Sequence, residues 1–376
     1  MIKKVFCVFI CLLFISLPLR VEGLESEISA PSAIVVNGET GEVIFGKNIN
    51  KKLPMASTTK IMTALILCEN CDLDEEITVT DDMVRVEGSS MGLLPGDKVS
   101  FKGLLYGMML PSGNDAANAF AISFGGSLEN FSLIMNKRAA ELGLNNTNFV
   151  TPSGLDAKKH YSTVFDMAKL SVVAMKNDEF RKAVSTDTIR LEYGNPPYSR
   201  SLSGHNKILE IYDGANGIKT GYTSLSGRCL VSSAERGNKK VIAVTLNDSN
   251  RWENHTKLLN YGFQNLTEYN LELPEKFSKI EIISGGARFV KVETKKAIVG
   301  LTTIETENLN YKLHIKRFIY APAKKGQTVG RIDFYIKDNL LKSLDIKVSE
   351  NTPIETKKQI SFKEKFIINL KLLLEL

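Results

Sequence analysis

Apolar and polar positions along the first half of the chain follow two different periods. An apolar run, a turn with two glycines and a second apolar run predict a β-hairpin over Ser32–Asn48. Helical spacing dominates from Ser57 to Phe180, where clusters of glycine and proline mark the breaks between helices. This region is therefore predicted to begin with a hairpin and to continue as a set of helices.

Strand patterns return further along the chain, at Arg228–Ala234 and Lys239–Leu246, with a polar turn between them. A helix is predicted over Trp252–Tyr261, and Gly262 is predicted to end it. The pattern thus places strands at both ends of one unit, with helices between them. That order is typical of an α+β domain in which the terminal strands share one sheet.

From about residue 267 the pattern changes to strict alternation. Apolar residues alternate with polar or charged ones over Tyr311–Lys316 and Arg331–Lys337, and turns rich in glycine, asparagine and proline separate such runs. The alternation indicates a small all-β domain over residues 267–350. It contains no group of residues with catalytic spacing, so a role as a spacer or in partner binding is predicted for it.

The two ends of the chain differ from both domains. Residues 1–23 combine two lysines, an uncharged apolar run and a small-residue cleavage site, which is typical of a secretory signal peptide; an uncleaved anchor is the alternative. Residues 351–376 comprise a polar linker and a lysine-rich amphipathic helix with an apolar side. Such a helix suits an anionic membrane surface, although docking on the protein itself is the alternative. The mature protein is therefore predicted to be exported and peripherally membrane-bound.

Composition then narrows the possible classes of function. The 376 residues allow two or three domains, and a net charge of +6 without a basic aromatic cluster argues against a nucleic-acid partner. The four histidines lack the spacing of a zinc hydrolase, and neither a metal nor a cofactor is predicted. Among the cysteines, Cys68 and Cys71 could form a disulfide, whereas Cys229 is predicted to be a buried strand residue.

One tetrapeptide carries candidate chemistry. Ser57-Thr58-Thr59-Lys60 lies at the start of an apolar helix, where residues three apart share a face, so the serine hydroxyl and the lysine amine can meet. A serine needs a nearby base to become a nucleophile, and a lysine can be that base only if burial or neighbouring cations lower its pKa. Alone the motif is weak, because a capping serine beside a solvated lysine is more common.

Two further motifs make the signal strong. Ser112–Asn114 follows a proline and precedes a predicted helix, and Lys219–Gly221 precedes a segment with strand character. A serine and lysine three apart, a serine and asparagine two apart, and a Lys-Thr-Gly triplet occur in this order in penicillin-binding proteins and class A β-lactamases. Three short motifs in the right order, each in a suitable context, are unlikely to coincide by chance.

With these motifs the chain resembles the low-molecular-mass penicillin-binding proteins, the serine D-alanyl-D-alanine carboxypeptidases of the bacterial cell wall. The resemblance includes Pro54–Thr63, Asp213–Leu230 and Tyr320–Gly330, and covers about residues 32–348. It implies a β-lactamase/transpeptidase-like catalytic domain over residues 24–266, in which an antiparallel sheet packs against a helical subdomain. The lysine-rich tail is similar to the amphipathic membrane anchor of the family.

Carried onto matching positions, the resemblance implies a mechanism. Ser57 would attack the carbonyl between the last two D-alanines of a peptidoglycan stem peptide, with Lys60 taking its proton. Ser112 would pass the proton to the leaving D-alanine, and the backbone N–H groups of Ser57 and Tyr222 would form the oxyanion hole. β-Lactam antibiotics would acylate the same serine as covalent inhibitors.

The resemblance also implies substrate contacts. Asn114 would orient the substrate amide, and Lys219 and Thr220 would bind the free terminal carboxylate. Arg251 could support that carboxylate, but an exposed arginine before a helix is the preferred interpretation. At Ser153 the chain departs from the histidine that many members carry, and no role is assigned to this position.

A β-lactamase and a non-enzymatic wall-binding module are the alternatives. A β-lactamase would need a base for deacylation, and Glu141 is the candidate, although its place at the end of a predicted helix favours a solvated side chain. The additional β domain and the lysine-rich tail favour the carboxypeptidase. The intact motifs argue against a module without catalysis.

Overall fold

The computed structural model of the chain describes residues 24–285 and 287–354. The predicted signal peptide and the lysine-rich amphipathic segment after Ile354 lie outside the described residues. Within these ranges, no helix is both long and apolar enough to cross a membrane. Two units follow each other along the described chain, and the second has a hydrophobic core of its own.

The first unit combines helices with two antiparallel sheets. Its helices are α1 (Leu24–Glu27), α2 (Lys60–Asn70), α3 (Asp81–Val84), α4 (Phe101–Met109), α5 (Asn114–Gly125), α6 (Leu128–Glu141), α7 (Val164–Ala174), α8 (Asp178–Val184), α9 (Ile208–Ile211) and α10 (Arg251–Gln264). Its strands are β1 (Ser32–Asn37), β2 (Val43–Lys47), β3 (Glu76–Thr78), β4 (Lys98–Ser100), β5 (Thr188–Gly194), β6 (Pro197–Ser203), β7 (Ala215–Thr223), β8 (Gly227–Arg236) and β9 (Lys239–Leu246).

The larger sheet joins the two ends of this unit. Its strand order is β2-β1-β9-β8-β7, so the N-terminal hairpin pairs with the last strand of the unit. Strand β1 is buried along its whole length: Ile34 and Val36 face the core shared with the central helices, whereas Ala33 and Val35 face the core under α10. Because alternate residues of a strand point to opposite faces, such burial requires a layer on each side. The predicted α+β arrangement is confirmed.

The structure differs from two of the predictions for this unit. The predicted helical stretch contains β3 and β4, which join β5 and β6 in a second sheet and are too short to show an alternating pattern. Helix α10 does not end at Gly262 but continues to Gln264. A β-carbon at Gly262 would lie 2.4 Å from the Cγ1 atom of Val241, so this glycine allows the helix to approach the sheet closely.

The second unit is built almost entirely of strands, as its alternating pattern predicts. They are β10 (Thr267–Leu271), β11 (Lys279–Ile283), β12 (Phe289–Thr294), β13 (Ala297–Leu301), β14 (Leu309–Ile315), β15 (Phe318–Tyr320), β16 (Thr328–Ile336) and β17 (Asn339–Val348), with one short helix, α11 (Thr303–Glu307). Strands β10 and β13 pair with each other, and the others form a six-stranded sheet in the order β14-β16-β17-β12-β11-β15.

A buried carboxylate connects the two units. Glu305 in α11 is 1% exposed, and its Oε2 atom accepts hydrogen bonds from the backbone N–H of Thr302 at 2.7 Å and from Asn37 Nδ2 at 2.8 Å. Its other oxygen accepts a hydrogen bond from the Thr40 hydroxyl. The Glu305 side chain therefore caps the N-terminus of its own helix and also binds the β1–β2 turn of the first unit.

Candidate active site

The candidate nucleophile lies on a tight turn that leads into α2. Residues Ala56–Thr59 form one turn of 3₁₀-helix, and Ala56 has a positive φ of 47°. Two glycines pack against this turn: a β-carbon at Gly154 would lie 1.9 Å from the Ala56 carbonyl oxygen, and one at Gly221 would lie 3.1 Å from the Ser57 nitrogen. The close approach of β7, which carries Gly221, places an edge strand beside the Ser57 backbone.

Lys60 is the centre of the site. Its side chain is fully buried, and its Nζ atom lies 3.1 Å from Ser57 Oγ, 2.7 Å from Asn114 Oδ1 and 2.7 Å from the backbone oxygen of Ser153. Burial, and then the nearby Lys219 ammonium, hold the pKa of Lys60 well below its ordinary value, although Asp115 opposes this shift. Burial therefore favours the uncharged form of the amine, which is the form that can accept a proton.

A neutral amine in this position is oriented toward the serine. It has two N–H bonds and one lone pair, and the two closest neighbours of Nζ, the Asn114 and Ser153 oxygens, can only accept hydrogen bonds. When both N–H groups are donated to these oxygens, the lone pair faces the remaining neighbour, the Ser57 hydroxyl. The sequence pattern thus predicts the contact between Ser57 and Lys60. The acceptors around Lys60 explain why the proton passes from the serine to the lysine.

Asn114 supports the lysine from the first turn of α5. Its Oδ1 atom accepts the hydrogen bond from Lys60, and its Nδ2 atom donates to the Glu87 backbone oxygen at 2.7 Å. The side chain is only 4% exposed. Both ends of the carboxamide are therefore engaged by the protein, and its role in orienting a substrate amide stays a prediction.

The next residue, Asp115, was not recognised in the sequence as part of the site. Its carboxylate accepts hydrogen bonds from the backbone N–H groups of Met91, Gly92 and Leu93, and from the Ser90 hydroxyl. It thereby fixes the loop that follows the Glu87 carbonyl. An acidic residue in the first turn of a helix is too common to have identified this role.

The Ser112 motif precedes α5 as predicted, whereas Lys219–Gly221 lies within β7 rather than before a strand. Ser112, half-buried before α5, has a positive φ of 63°, a conformation that is uncommon for residues other than glycine. Lys219, within β7, is 2% exposed, and burial lowers its pKa to about 7. Thr220 is half-buried, whereas the Tyr222 side chain is 66% exposed, so only the backbone of Tyr222 is a candidate for the oxyanion hole. The individual roles of these residues stay predictions.

Arg251 differs from its preferred interpretation as an exposed residue. It begins α10 half-buried, with its guanidinium 4.5 Å from the Trp252 ring centroid and its Nε atom buried without a hydrogen-bond partner. Burial, and then the neighbouring Arg228, lower its pKa. The sequence could not show this, because the arginine becomes enclosed only when α10 packs against the sheet.

His160 holds the loop that supplies the Ser153 carbonyl. Its Nδ1 atom accepts a hydrogen bond from the Val150 N–H at 2.9 Å, so its Nε2–H donates to Thr59 Oγ1 at 2.8 Å. The ring is 5% exposed, and burial lowers its pKa to about 4. His160 therefore connects the loop to the turn of the nucleophile, and it does so only as a neutral imidazole.

The departure at Ser153 is explained by the same contacts. What reaches Lys60 from this position is the backbone oxygen, which any residue can supply. The neighbouring Pro152 oxygen accepts a hydrogen bond from Thr63 Oγ1 at 2.7 Å, so backbone groups hold the loop on α2. A change of side chain at this position therefore leaves the lysine's environment in place.

The residues for which the sequence favours no catalytic role lie outside the site. Glu141 ends α6 and pairs with Arg138 at 3.1 Å, with 48% of its side chain exposed. Cys68, Cys71 and Cys229 are free thiols, and Cys229 is buried in β8 as predicted. In residues 24–285 and 287–354, no group of three or more His, Cys, Asp or Glu side chains could hold a metal ion.

Taken together, a serine on a turn that leads into a helix, a buried lysine with a lowered pKa and an edge strand beside the serine backbone define a serine acyl-transfer enzyme. Comparison with known protein families identifies the family to which this enzyme belongs. The D-alanyl-D-alanine carboxypeptidase family matches residues 20–250, and the C-terminal domain of penicillin-binding protein 5 matches residues 272–353. The chain therefore belongs to the serine D-alanyl-D-alanine carboxypeptidases and is a low-molecular-mass penicillin-binding protein.

Individual relatives agree with this assignment. The D-alanyl-D-alanine carboxypeptidase DacF of Bacillus subtilis is 34% identical over 317 residues, which span 81% of this chain and 80% of that protein. DacC of Escherichia coli is 33% identical over 354 residues, 87% of this chain and 86% of that protein. The crystal structure of DacD from Francisella tularensis matches with a TM-score of 0.61 and 25% identity, over 87% of this chain and 94% of that chain.

A transpeptidase structure matches a smaller share of the chain. The DD-transpeptidase of a Streptomyces strain has a TM-score of 0.60 and 35% identity, over 63% of this chain and 98% of that chain. The predicted transpeptidase-like fold is thus confirmed.

Proposed function

We propose that this enzyme removes the terminal D-alanine from peptidoglycan stem pentapeptides through an acyl-enzyme on Ser57. The observation that carries the proposal is the contact of 3.1 Å between Ser57 Oγ and the buried Lys60 Nζ, whose other two neighbours are acceptors. This contact places an amine whose uncharged form is favoured by burial beside the serine hydroxyl, and a serine requires such a base to attack a carbonyl.

The chemical steps follow from the positions of these groups. Ser57 gives its proton to Lys60 as its oxygen bonds to the carbonyl carbon between the two D-alanines, and the N–H groups of Ser57 and Tyr222 stabilise the oxyanion. When this intermediate collapses, the C–N bond breaks, and the proton passes through Ser112 to the leaving amine. Water then attacks the ester, gives a proton to Lys60, and releases Ser57 with its proton restored.

Recognition of the free carboxylate is assigned to Lys219 and Thr220, with Arg251 as a further cation. A buried ammonium makes a strong charge-assisted contact with a carboxylate, which suits an enzyme that acts at a chain end. The buried Arg251 Nε atom has no partner in the protein and remains able to donate a hydrogen bond. Arg251 is the first residue of α10.

The β-lactamase alternative loses its candidate base. Glu141 is engaged by Arg138 on the surface of α6, and it is not among the contacts of Ser57 or Lys60. Fast deacylation requires a base directed at the ester, so slow release of a bound penicillin is the expected behaviour.

Outside the catalytic site, we propose export and a peripheral location on the outer face of the cell membrane. Homologous carboxypeptidases are cell-wall enzymes, so their substrate lies outside the cytoplasm. The lysine-rich amphipathic segment after Ile354 is suited by its sequence to an anionic lipid surface. Removal of residues 1–23 would leave this segment as the attachment.

Release of D-alanine tests the proposed reaction. The mature chain is expected to liberate one D-alanine per molecule of an acylated L-lysyl-D-alanyl-D-alanine peptide, measured with a D-amino-acid oxidase assay. Ser57→Ala should release none, and Ser132→Ala, a surface serine on α6, is the matched control and should be fully active. Rapid turnover of penicillin without release of D-alanine would contradict the proposal.

The dependence on pH tests the role of Lys219. Because its pKa in the free enzyme is about 7, the ammonium is lost as the pH rises above that value. The ratio kcat/KM for a peptide with a free carboxylate is expected to fall between pH 7 and 9, by up to about tenfold per unit. Measurement with the corresponding methyl ester should show no such fall, since the ester offers no carboxylate; parallel profiles for the two substrates would contradict the assignment.

A further inference from the structure

A row of aromatic side chains lies exposed on one face of the C-terminal sheet. In β11, β12 and β15 the inward residues are buried, while Phe289, Phe318 and Tyr320 are 48%, 43% and 65% exposed. Ile283 beside them is 37% exposed. We call these four residues the aromatic face.

The strand register brings the aromatic face together on three neighbouring strands. Glu281 of the central strand lies between Phe289 and Phe318 and pairs with both, and Ile283 pairs with Tyr320. The rings of Phe318 and Tyr320 contact each other edge to face, with centroids 5.6 Å apart. Single exposed apolar residues are normal on a protein surface, but a contiguous group of this kind marks a contact site.

Cations border the aromatic face. The Arg288 guanidinium lies 5.2 Å from the centroid of the Phe289 ring, and Lys279 and Lys291 form an exposed cross-strand pair on the same surface. The acidic Glu281 is compensated within this group, because its carboxylate lies 3.7 Å from Arg288. This combination of rings and cations is complementary to a partner surface that is apolar at its centre and anionic at its rim.

The course of the chain indicates which surface that is. Thr352 pairs with Ala323, and Ile354, 53% exposed, pairs with Gly285, two residues beyond Ile283. The described chain therefore ends beside the aromatic face, and residues 355–376, with their lysines and apolar residues, begin there. Ile354 therefore lies at the same edge of the sheet as the aromatic face.

We propose that the aromatic face is a membrane-contact surface, which inserts Phe289, Phe318 and Tyr320 at the headgroup level of an anionic bilayer. The amphipathic ring of tyrosine prefers this interfacial region, phenylalanine rings bury at the boundary between headgroups and acyl chains, and basic residues beside them bind anionic headgroups. The proposal rests on the proposed peripheral location and adds a second contact to that of the tail.

Two membrane contacts fix the orientation of the enzyme on the bilayer, whereas attachment by the tail alone does not. The start of β17 faces the first unit, since Leu341 lines a cavity with Gly38 and Glu39, whereas β15 forms the edge of the sheet opposite β14. A bilayer bound at the aromatic face therefore leaves the catalytic unit at the other side of the β domain. The enzyme would be held at a fixed height above the lipid, facing the wall.

Site-specific fluorescence tests the contact directly. In the mature full chain, Phe318→Trp in a Trp252→Phe background is expected to shift its emission to the blue on phosphatidylglycerol vesicles and to be quenched by brominated acyl chains. Leu133→Trp in the same background, at a site on α6 that is 67% exposed, is the matched control and should show neither change. An unquenched Trp at position 318 on protein that sediments with the vesicles overturns the proposal, and so does a failure to bind vesicles.

A binding measurement separates lipid from glycan. Phe318→Ser combined with Tyr320→Ser should weaken vesicle partitioning at least tenfold, whereas Leu133→Ser should not change it. The melting temperature and D-alanine release in solution should stay at wild-type values, so failure of the lipid contact and failure of the proposed reaction are distinguishable. If the double variant loses binding to insoluble peptidoglycan but keeps its vesicle binding, the face binds glycan and the proposal is wrong.

Discussion

Replacing Lys60 by methionine is expected to slow acylation of the enzyme by a penicillin roughly 10²–10⁴-fold, the range associated with loss of a general base. Methionine fills a similar volume without an amine, so Ser57 keeps its place but loses the atom that lies 3.1 Å from its hydroxyl. The second-order rate constant with a fluorescent penicillin measures the effect. Lys176→Met, at an exposed lysine after α7, is the matched control and should react at the wild-type rate.

The fold of the Lys60 variant can be checked separately, because removing a buried amine leaves the acceptors on Asn114 and Ser153 without a donor. Circular dichroism and the melting temperature should show a folded, modestly destabilised protein. A folded Lys60→Met variant that acylates within tenfold of the wild type would exclude the lysine as the base. Ser57 would then have to be activated by another group.

Acidification is expected to reduce stability steeply, through two buried histidines. Burial lowers the pKa of His160 to about 4 and, with Arg251 contributing, that of His255 to about 3. The unfolded chain takes up both protons below pH 6.5, while the folded chain does not, so the free energy of unfolding is fully retained above pH 6.5 and falls below it. The slope is about 1.4 kcal/mol per pH unit for each histidine, down to the folded pKa.

Urea unfolding midpoints between pH 7 and 4.5 measure this slope. The wild type should lose about 2.7 kcal/mol per unit at the steepest point from the two histidines together, and His160→Gln should lose about half of that. His205→Gln, at an exposed position, is the matched control and should follow the wild type. Equal slopes for the wild type and His160→Gln would show that His160 is not kept neutral by folding.

The sequence was sufficient for the parts of the site that lie in local motifs. Ser57 and Lys60 share a helix turn, so their contact follows from spacing alone, and the order of the motifs identified the class of enzyme. Alternating residues in the second unit likewise predicted its strands. These features depend on short-range geometry, which a single sequence specifies.

The rest of the site depends on contacts between distant segments. The Ser153 backbone oxygen, the Asp115 carboxylate and the neutral His160 ring all act on atoms far away in the chain, and none belongs to a motif with catalytic spacing. Glycine often ends a helix, which is why the sequence predicts an end at Gly262, but in the structure this glycine lets a neighbouring strand pack closely against α10. The sequence around Glu305 likewise gives no sign that this side chain connects the two units.

The most direct test of the whole account is the intact mass of the mature protein, followed over time with a penicillin. The wild type is expected to gain the mass of one antibiotic and to keep it for minutes, while Ser57→Ala gains none. An adduct that disappears within seconds as the antibiotic is hydrolysed would indicate a β-lactamase. A folded wild-type protein that forms no adduct would contradict the central claim that Ser57 and Lys60 form an acyl-transfer site.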